Sequence, residues 1–538
     1  MMEFLKNLGF NEEAQEGFKD EALRHFLFEL YLKDELDLNA LFLNLGVKSE
    51  EFLRALAKHL SLEFVEFDEI DENLCDLFAF SLLWQNQILP LQKDEESIFI
   101  LSAKPLNLEL LSKIEHLFRS KFIKNALCDV YKLNQNLNKL YIRQRLKELG
   151  ANLKQELNAN LKEDGQSSVS LLFEFILQEA LKLNASDVHI ESLENEALIR
   201  FRVDGILRFF CTFEEQLYQA LVFHIKLLAH LNVAESRKAQ DGSFNKSFEG
   251  VEYDFRISTL PLQKGESVVL RILRQDLELL SLENLHFSKE NLALVQKNIK
   301  KPFGMILLTG PTGSGKSTTL YACLKSLACV EKKIITAEEP IEYKMPQVQQ
   351  IALNSKAGLD FTNALRAILR QDPDVIMVGE IRDEESLDIA LKGAQTGHLI
   401  LSTLHTNDAL STIERLLDMK AKPYLIASSL NLIIAQRLAR KLCPHCKVKS
   451  VRNDEFKGEF YEALGCEHCH FSGFLGRELI SECLELDEGL KELVRKNASK
   501  NELLNHAKAR GFLSMFELGL EKARLGVLSI DELMRVVG

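Results

Sequence analysis

The sequence predicts an α/β protein whose C-terminal half alternates strands and helices around a phosphate-binding loop, and three observations carry that prediction. The first is GMILLTGPTGSGKSTT, residues 304–319, in which an apolar run is followed by a glycine-rich loop and then by helix-forming sequence. The second is a set of three later segments, KKIITAEEPIEY, DVIMVGEIRD and HLILSTLHTND, each an apolar strand with polar residues beside its end. The third is the pair of amphipathic stretches between them, FTNALRAILRQ and EESLDIALKGAQ, spaced to cover the faces of a mainly parallel sheet. Together they predict a RecA-like P-loop motor domain.

The loop has the composition that a triphosphate requires, because several negative charges must be held without crowding. Gly310, Gly313 and Gly315 let successive backbone N–H groups converge on phosphate oxygens, with Pro311, Thr312 and Ser314 between them, and the helix that follows offers its positive dipole end. Lys316 is placed to reach the β and γ phosphates and Ser317 to ligate Mg2+, with Thr318 completing the nucleotide-binding run. Strand ends of such sheets carry the chemistry. Glu338 and Glu339 before a proline, and Glu380 after Gly379, are therefore the candidates to hold a metal-bound water or polarise the attacking one. His405 is a candidate γ-phosphate sensor, with a structural histidine as the competing reading.

Length and composition bound the rest. A chain of 538 residues has room for roughly three or four domains. Acidic residues outnumber basic ones, 79 to 66, and the net charge of −13 argues against a surface built to hold nucleic acid. No apolar run approaches the ~18 residues that span a bilayer, so a membrane role has to come through a partner. The opening residues, MMEFLKNLGFNEEAQEGF, mix both charge signs and predict no secretory leader.

Taken in order, residues 1–60 read as helical, with apolar spacings of three and four in FLFELYLKDELDLNALFLNL and EEFLRALAKHL. Short β-like runs, LEFVEF and SIFILSA, then mix with a helical LELLSKIEHLF, so residues 1–140 are expected to form regulatory or docking modules with Trp84 in a core. The charged stretch 141–166 is the expected linker, helical in part. A second α/β region, 167–276, opens with the helix SLLFEFILQEALKLN, continues through a hairpin at Asp204-Gly205 and a helix over about 216–231, and ends in the strands YDFRISTL and SVVLRIL. Arg200, Arg202, Arg208, Arg256, Arg271 and Arg274 lie on or beside these strands, as solvated strand faces or as fingers aimed at a nucleotide. Beyond the motor strands, Cys443-Pro-His-Cys446 and Cys466-Glu-His-Cys469 have the spacing of a four-thiolate zinc ribbon, with redox disulfides as the alternative and His445, His468 and His470 as substitute ligands. Such a metal has a folding role. The remainder, from about 480, reads as helical and charged.

From about Ser170 onward the chain resembles the secretion ATPases of type II secretion, type IV pilus and competence pseudopilus systems. The resemblance rests on GPTGSGKST, ASDVHIE, RFRVDG, GESVVLRIL, LRQDPDVIMVGEIRD, TGHLILSTLHTNDA and GCEHCHFSGFLGR. It implies a PAS-like α/β domain over 167–276, ahead of a RecA-like ATPase domain over 284–538 that carries the zinc-binding segment 443–469. It further implies a cytoplasmic homohexamer, peripheral to the inner membrane, that uses ATP, Mg2+ and Zn2+ and turns a membrane platform protein to assemble pilin-like subunits. The N-terminal region would dock on a membrane-complex protein or bind a cyclic dinucleotide. By the same resemblance Glu338 is the aspartate-box glutamate and Glu380 the Walker B glutamate. His398 and His405 form the histidine box, and Arg200 and Arg202 mark the finger region. Two departures stand out: the usual Glu-Asp-Pro reads Glu338-Glu339-Pro340, and no arginine lies between Arg208 and Arg237, where some relatives keep a second finger. The rival expectation is a RecA-like nucleic-acid translocase gripping DNA with its ribbon, which the net charge and the lack of a basic stripe with interleaved aromatics oppose. Secretion, pilus assembly and DNA uptake are not distinguished at this level.

Overall fold

Helical spacing at the start of the described chain yields α1 (Glu21–Leu32) and α2 (Ser49–His59), whose apolar faces share one core through Leu27, Phe28, Phe52 and Leu56. This computed structural model describes residues 21–538 except 37, 39–40, 42–46, 48, 68, 119–121, 160–166, 195, 275–279, 355–357, 451–455 and 457. The expected helical content of residues 1–20 lies outside the described residues. A small sheet follows, in the order β1-β4-β3-β2, from β1 (Glu63–Phe64), β2 (Ile88–Lys93), β3 (Ser97–Ser102) and β4 (Phe122–Leu127). The helix α3 (Leu108–Leu117) makes the crossover between parallel β3 and β4. Trp84 is not the core residue that was expected: it is 40% exposed and packs at the edge against Phe80 and Tyr141.

The stretch expected as a linker is helical as far as Ala159, within α4 (Val130–Ala159). Its spaced leucines explain this, since Leu146, Leu149 and Leu153 are buried in the core of the next sheet. That sheet is antiparallel throughout, in the order β7-β6-β5-β10-β9-β8. It is preceded by α5 (Ser168–Lys182) and built from β5 (Ala185–Ser192), β6 (Glu196–Val203), β7 (Ile206–Glu214), β8 (Gln240–Phe248), β9 (Val251–Pro261) and β10 (Glu266–Arg274), with α6 (Glu215–Leu228) after β7. The Asp204-Gly205 turn has φ values of 50° and 84°, the paired positive values of a two-residue hairpin turn. Burial alternates along β6, so Ile199, Phe201 and Val203 face the core and Arg200 and Arg202 the other side.

After α7 (Lys289–Ile299) comes the third sheet, ordered β13-β12-β14-β15-β11-β16-β19. Its strands are β11 (Gly304–Thr309), β12 (Ile334–Glu338), β13 (Val348–Ala352), β14 (Val375–Val378), β15 (Leu399–Leu404), β16 (Leu430–Leu442) and β19 (Phe474–Glu485), and between the last two in the chain lies a separate antiparallel pair, β17 (Lys447–Lys449) and β18 (Tyr461–Ala463). All neighbours are parallel except β16 and β19. Every residue of β11, β14 and β15 is buried, as a parallel strand covered on both faces requires. Met305 and Leu307 face the core under α9 (Phe361–Ile368), α10 (Glu384–Gln395) and α11 (Ala409–Asp418). Ile306 and Leu308 face the opposite core with α7 and α8 (Lys316–Leu327). Residues 480–485, expected to be helical, belong to β19, because the run from Glu478 to Leu484 is buried on pairing with β16. Helices follow, ending in α12 (Ile530–Val537).

That last helix is pinned to β16 by Glu532, whose side chain is fully buried. It accepts hydrogen bonds from the Arg440 backbone N–H (2.8 Å) and guanidinium (2.8 and 3.1 Å) and from the Arg535 guanidinium (2.8 Å from Nε). Burial disfavours the carboxylate, but these donors outweigh it and hold Glu532 at about 2, down from 4.5. A carboxyl depressed in this way stabilises the fold fully above its unfolded value and loses the contribution as pH falls through its folded one. Glu532→Gln is therefore expected to cost about 3 kcal/mol near neutral pH. In thermal or denaturant melts, the gap to the parent should close between pH 4.5 and pH 2.

Candidate active site

The loop between β11 and α8 is shaped by glycine at the positions where a side chain has no room. Gly310 has φ +144°, and a Cβ there would lie 2.5 Å from the Gln436 carbonyl oxygen on β16. Gly315 opens α8 at φ 88° with no side-chain cap, which leaves the first-turn N–H groups to an anion. Gln436 buttresses the loop by donating from Nε2 to the Ser314 carbonyl at 2.9 Å. Lys316 folds back over the loop, donating to the carbonyls of Gly310 (2.8 Å) and Pro311 (2.9 Å). Burial pushes its ammonium below the usual lysine range, Glu380 opposes the shift and Arg437 adds to it. A phosphate at this point would relieve that cost. Ser317 is exposed at the head of the helix, open to a ligand, and Thr318 is half-buried. The cradle fits a nucleotide triphosphate.

Sheet order sets the carboxyl ends of β12, β14, β15 and β11 side by side, the place where such folds bind ligands. Glu380, after β14, pairs through Oε1 with His405 Nε2 at 3.2 Å and accepts from Arg382 Nε at 2.9 Å through Oε2. Arg382 extends the chain to Glu339, donating from Nη1 at 3.2 Å. Glu339, Arg382, Glu380 and His405 thus form one polar string beside the loop. Glu338 is held apart from it. The alternation of β12 turns its carboxylate inward, where it is 3% exposed and accepts from the Tyr321 hydroxyl, from Thr336 Oγ1 (2.5 Å) and from Gln350 Nε2 (3.1 Å). His398 precedes β15 and lies about 20 Å from its far end, its Nδ1 set 2.9 Å from the Gly393 carbonyl.

Arg200 is engaged within its own sheet, its Nη2 donating to both Glu191 carboxylate oxygens at 2.6 and 2.7 Å. Arg202 pairs with Asp187 at 3.6 Å and donates to the Gly205 carbonyl at 3.2 Å. Neither hydrogen-bonds the phosphate loop among the described residues. Arg256 does reach the motor, donating to the Ile341 carbonyl at 2.6 Å and pairing with Glu342 at 3.1 Å. Sequence reasoning assigned no role to Arg382, Gln436 or Tyr321. Arg382 was within reach of it, two residues past Glu380 at a strand end; Gln436 needed the β11–β16 pairing, and Tyr321 needed the loop after Glu338.

The four cysteines of the two knuckles are buried, with their ligand atoms within 4.8 Å of one another. The sulfur separations Cys443–Cys466, Cys446–Cys469 and Cys466–Cys469 are 3.7, 3.8 and 3.8 Å, close to the ~3.8 Å edge of a tetrahedron with Zn–S bonds of about 2.3 Å. Backbone N–H groups of Gly465, Cys466 and Gly473 point at these sulfurs at 3.2–3.3 Å and favour thiolates. A zinc ion fits this group.

The parallel sheet, the glycine cradle with its lysine and the carboxylates at adjoining strand ends define a P-loop ATP-hydrolysing enzyme. The chain belongs to the type II/IV secretion system protein family, whose model matches residues 162–535. A MshEN domain model matches residues 60–145. Over 477 residues the chain is 39% identical to the type II secretion system ATPase E of Vibrio cholerae, covering 84% of this chain and 94% of that one. It is 43% identical over 377 residues to the type IV pilus assembly ATPase PilB of Myxococcus xanthus, covering 68% and 67%. The crystal structure of the Legionella pneumophila ATPase DotB shares the fold, with a TM-score of 0.52 at 22% identity over 68% of this chain and 95% of that one.

Because Gly310 combines a positive φ with a contact that a Cβ cannot make, Gly310→Ala is expected to weaken ATP binding by at least about tenfold. Titration with a fluorescent nucleotide checks this, with the far-UV spectrum unchanged.

Proposed function

We propose that this chain is the cytoplasmic, hexameric ATPase that powers assembly of a pilus or pseudopilus through an inner-membrane platform protein. One observation carries the reading: Lys316 and the Glu339–Arg382–Glu380–His405 string meet at adjoining strand ends, so a bound triphosphate would sit between its anchor and its acid–base groups. The names of the relatives on both the secretion and the pilus side support the biological setting.

The roles follow from the positions. The loop Gly310–Gly315, Lys316 and Thr318 hold the phosphates, and Ser317 holds Mg2+, which neutralises charge on the leaving phosphates. Glu380 orients and deprotonates the attacking water, with His405 and Arg382 fixing its two oxygens. Glu338 and Glu339 flank the site as the inner and outer carboxylates of the aspartate box. Arg200 and Arg202 are the finger candidates, and either must leave its own carboxylate to reach a nucleotide. Cys443, Cys446, Cys466 and Cys469 hold Zn2+ as a folding element.

We divide the chain into a docking region (1–140), a connecting segment (141–166) whose helical part packs on the domain that follows, an α/β domain (167–276) and the motor (284–538). Among the described residues no helix is long and apolar enough to cross a membrane, and we assign membrane contact to the platform protein and to a docking partner held by the N-terminal region.

Glu380→Gln is expected to bind ATP normally and to hydrolyse it at least 10²-fold more slowly; turnover at the parent rate in a phosphate-release assay would reduce Glu380 to a strand-end residue. The double variant Arg200→Ala with Arg202→Ala is expected to lose about 10³-fold or more in kcat with nucleotide binding retained. Normal hydrolysis in that variant would remove both from the finger role.

A further inference from the structure

The side chain that gathers the Glu338 loop comes from the phosphate-binding helix itself. Tyr321 lies on α8, which Lys316 begins, with its ring in the core beneath the sheet. Its hydroxyl donates to Glu338 and accepts the backbone N–H groups of Glu342 at 2.9 Å and Tyr343 at 3.3 Å. A phenol has one proton to give and two lone pairs to fill, so this oxygen is fully used. Burial first, and then the adjoining Glu338, push the phenol upward in pKa, which keeps it a donor to the carboxylate.

The loop so gathered is gripped again from the preceding domain. Arg256 on β9 donates to the Ile341 carbonyl and pairs with Glu342, and Asp254 backs its Nε at 3.4 Å. Gln350 closes the far side by donating to Glu338 and to the Tyr343 carbonyl (2.8 Å) while accepting the Met345 N–H at 2.9 Å. Residues 339–343 are therefore tied on one side to the helix that binds phosphate and on the other to a strand of a different domain.

We propose that Tyr321 is a positioning residue for ATP hydrolysis: its hydroxyl sets the Glu338 carboxylate and the 339–343 loop against the phosphate-binding helix, while Arg256 sets the same loop against the α/β domain. The lobe arrangement thereby reaches the carboxylates through the backbone of 341–343. This rests on the reading of Glu338 as a catalytic carboxylate. A purely structural tyrosine would act through its ring, which meets Tyr343 edge-on at 5.1 Å, and phenylalanine preserves that contact.

The test uses the full chain and steady-state hydrolysis. Tyr321→Phe, assayed well below its melting temperature, is expected to lower kcat about tenfold with KM for ATP within about twofold. Arg256→Ala is expected to lower kcat as well, and the double variant to fall by less than the product of the two, since both side chains hold one loop. Parent kcat in Tyr321→Phe, or a fall accompanied by an equal rise in KM, overturns the positioning role. Strictly multiplicative losses overturn the shared loop. Glu338→Gln separates the two readings. If it turns over ATP at the parent rate, the catalytic assignment of Glu338 fails and this proposal with it; if it is inactive while Tyr321→Phe is normal, only the role of Tyr321 fails.

Discussion

The interaction on which the rest depends is the cradling of negative charge by the backbone at the head of α8. It requires a helix start without a side-chain cap and a loop whose N–H groups can turn inward, and both rest on glycines at positive φ. It also requires a rigid floor. β11 supplies that floor by being buried along its whole length and paired on both edges, with β15 on one side and β16 on the other. β16 in turn brings Gln436 under the loop. In a chain of net charge −13, this concentration of N–H groups, Lys316 and Arg437 makes a local positive site where the overall field is negative.

The same sheet decides which carboxylates can act together. Strand order places β12, β14 and β15 next to one another, and each ends in a group that sequence alone had singled out. Yet adjacent residues on one strand end face opposite ways. Glu338 turns toward Tyr321 and the core, while Glu339 turns out toward Arg382. Glu338 and Glu339 therefore sit in different media, one dry and saturated with donors, the other wet and paired with an exposed guanidinium. Burial, more than side-chain identity, is what separates the two carboxylates.

Most of the motor was legible in the sequence because its signals are local. The glycine spacing, the apolar strand runs and the two cysteine knuckles each need only a short window, and each lies where the pattern placed it. Local signals misled at Trp84, which looked like core and is a rim aromatic, and at 480–485, where a charged-looking segment pairs as β19. What was not legible depends on contacts between distant segments. The pairing of Arg256 with Ile341 and Glu342 spans two domains, and the Gln436 prop crosses the sheet. Arg200 and Arg202 show the limit from the other side: their spacing on β6 was plain, but their carboxylate partners on β5 were fixed only by strand register.

The length of the glutamate at 339, where the resemblance drawn from the sequence implies an aspartate, has a physical consequence in this geometry. Glu339 reaches Arg382 with 3.2 Å between Oε2 and Nη1, and Arg382 simultaneously holds Glu380 at 2.9 Å. An aspartate at the same backbone position would fall short by one methylene, ~1.5 Å, which would open the contact beyond hydrogen-bonding range. The longer side chain thus couples Glu339 at one strand end to Glu380 at the next through a single guanidinium. Since Arg382 is also stacked over the Phe361 ring at 5.4 Å, its position is constrained from α9 as well. Any movement of Arg382 off Glu380 can therefore be taken up at Glu339, which the extra methylene keeps within its reach.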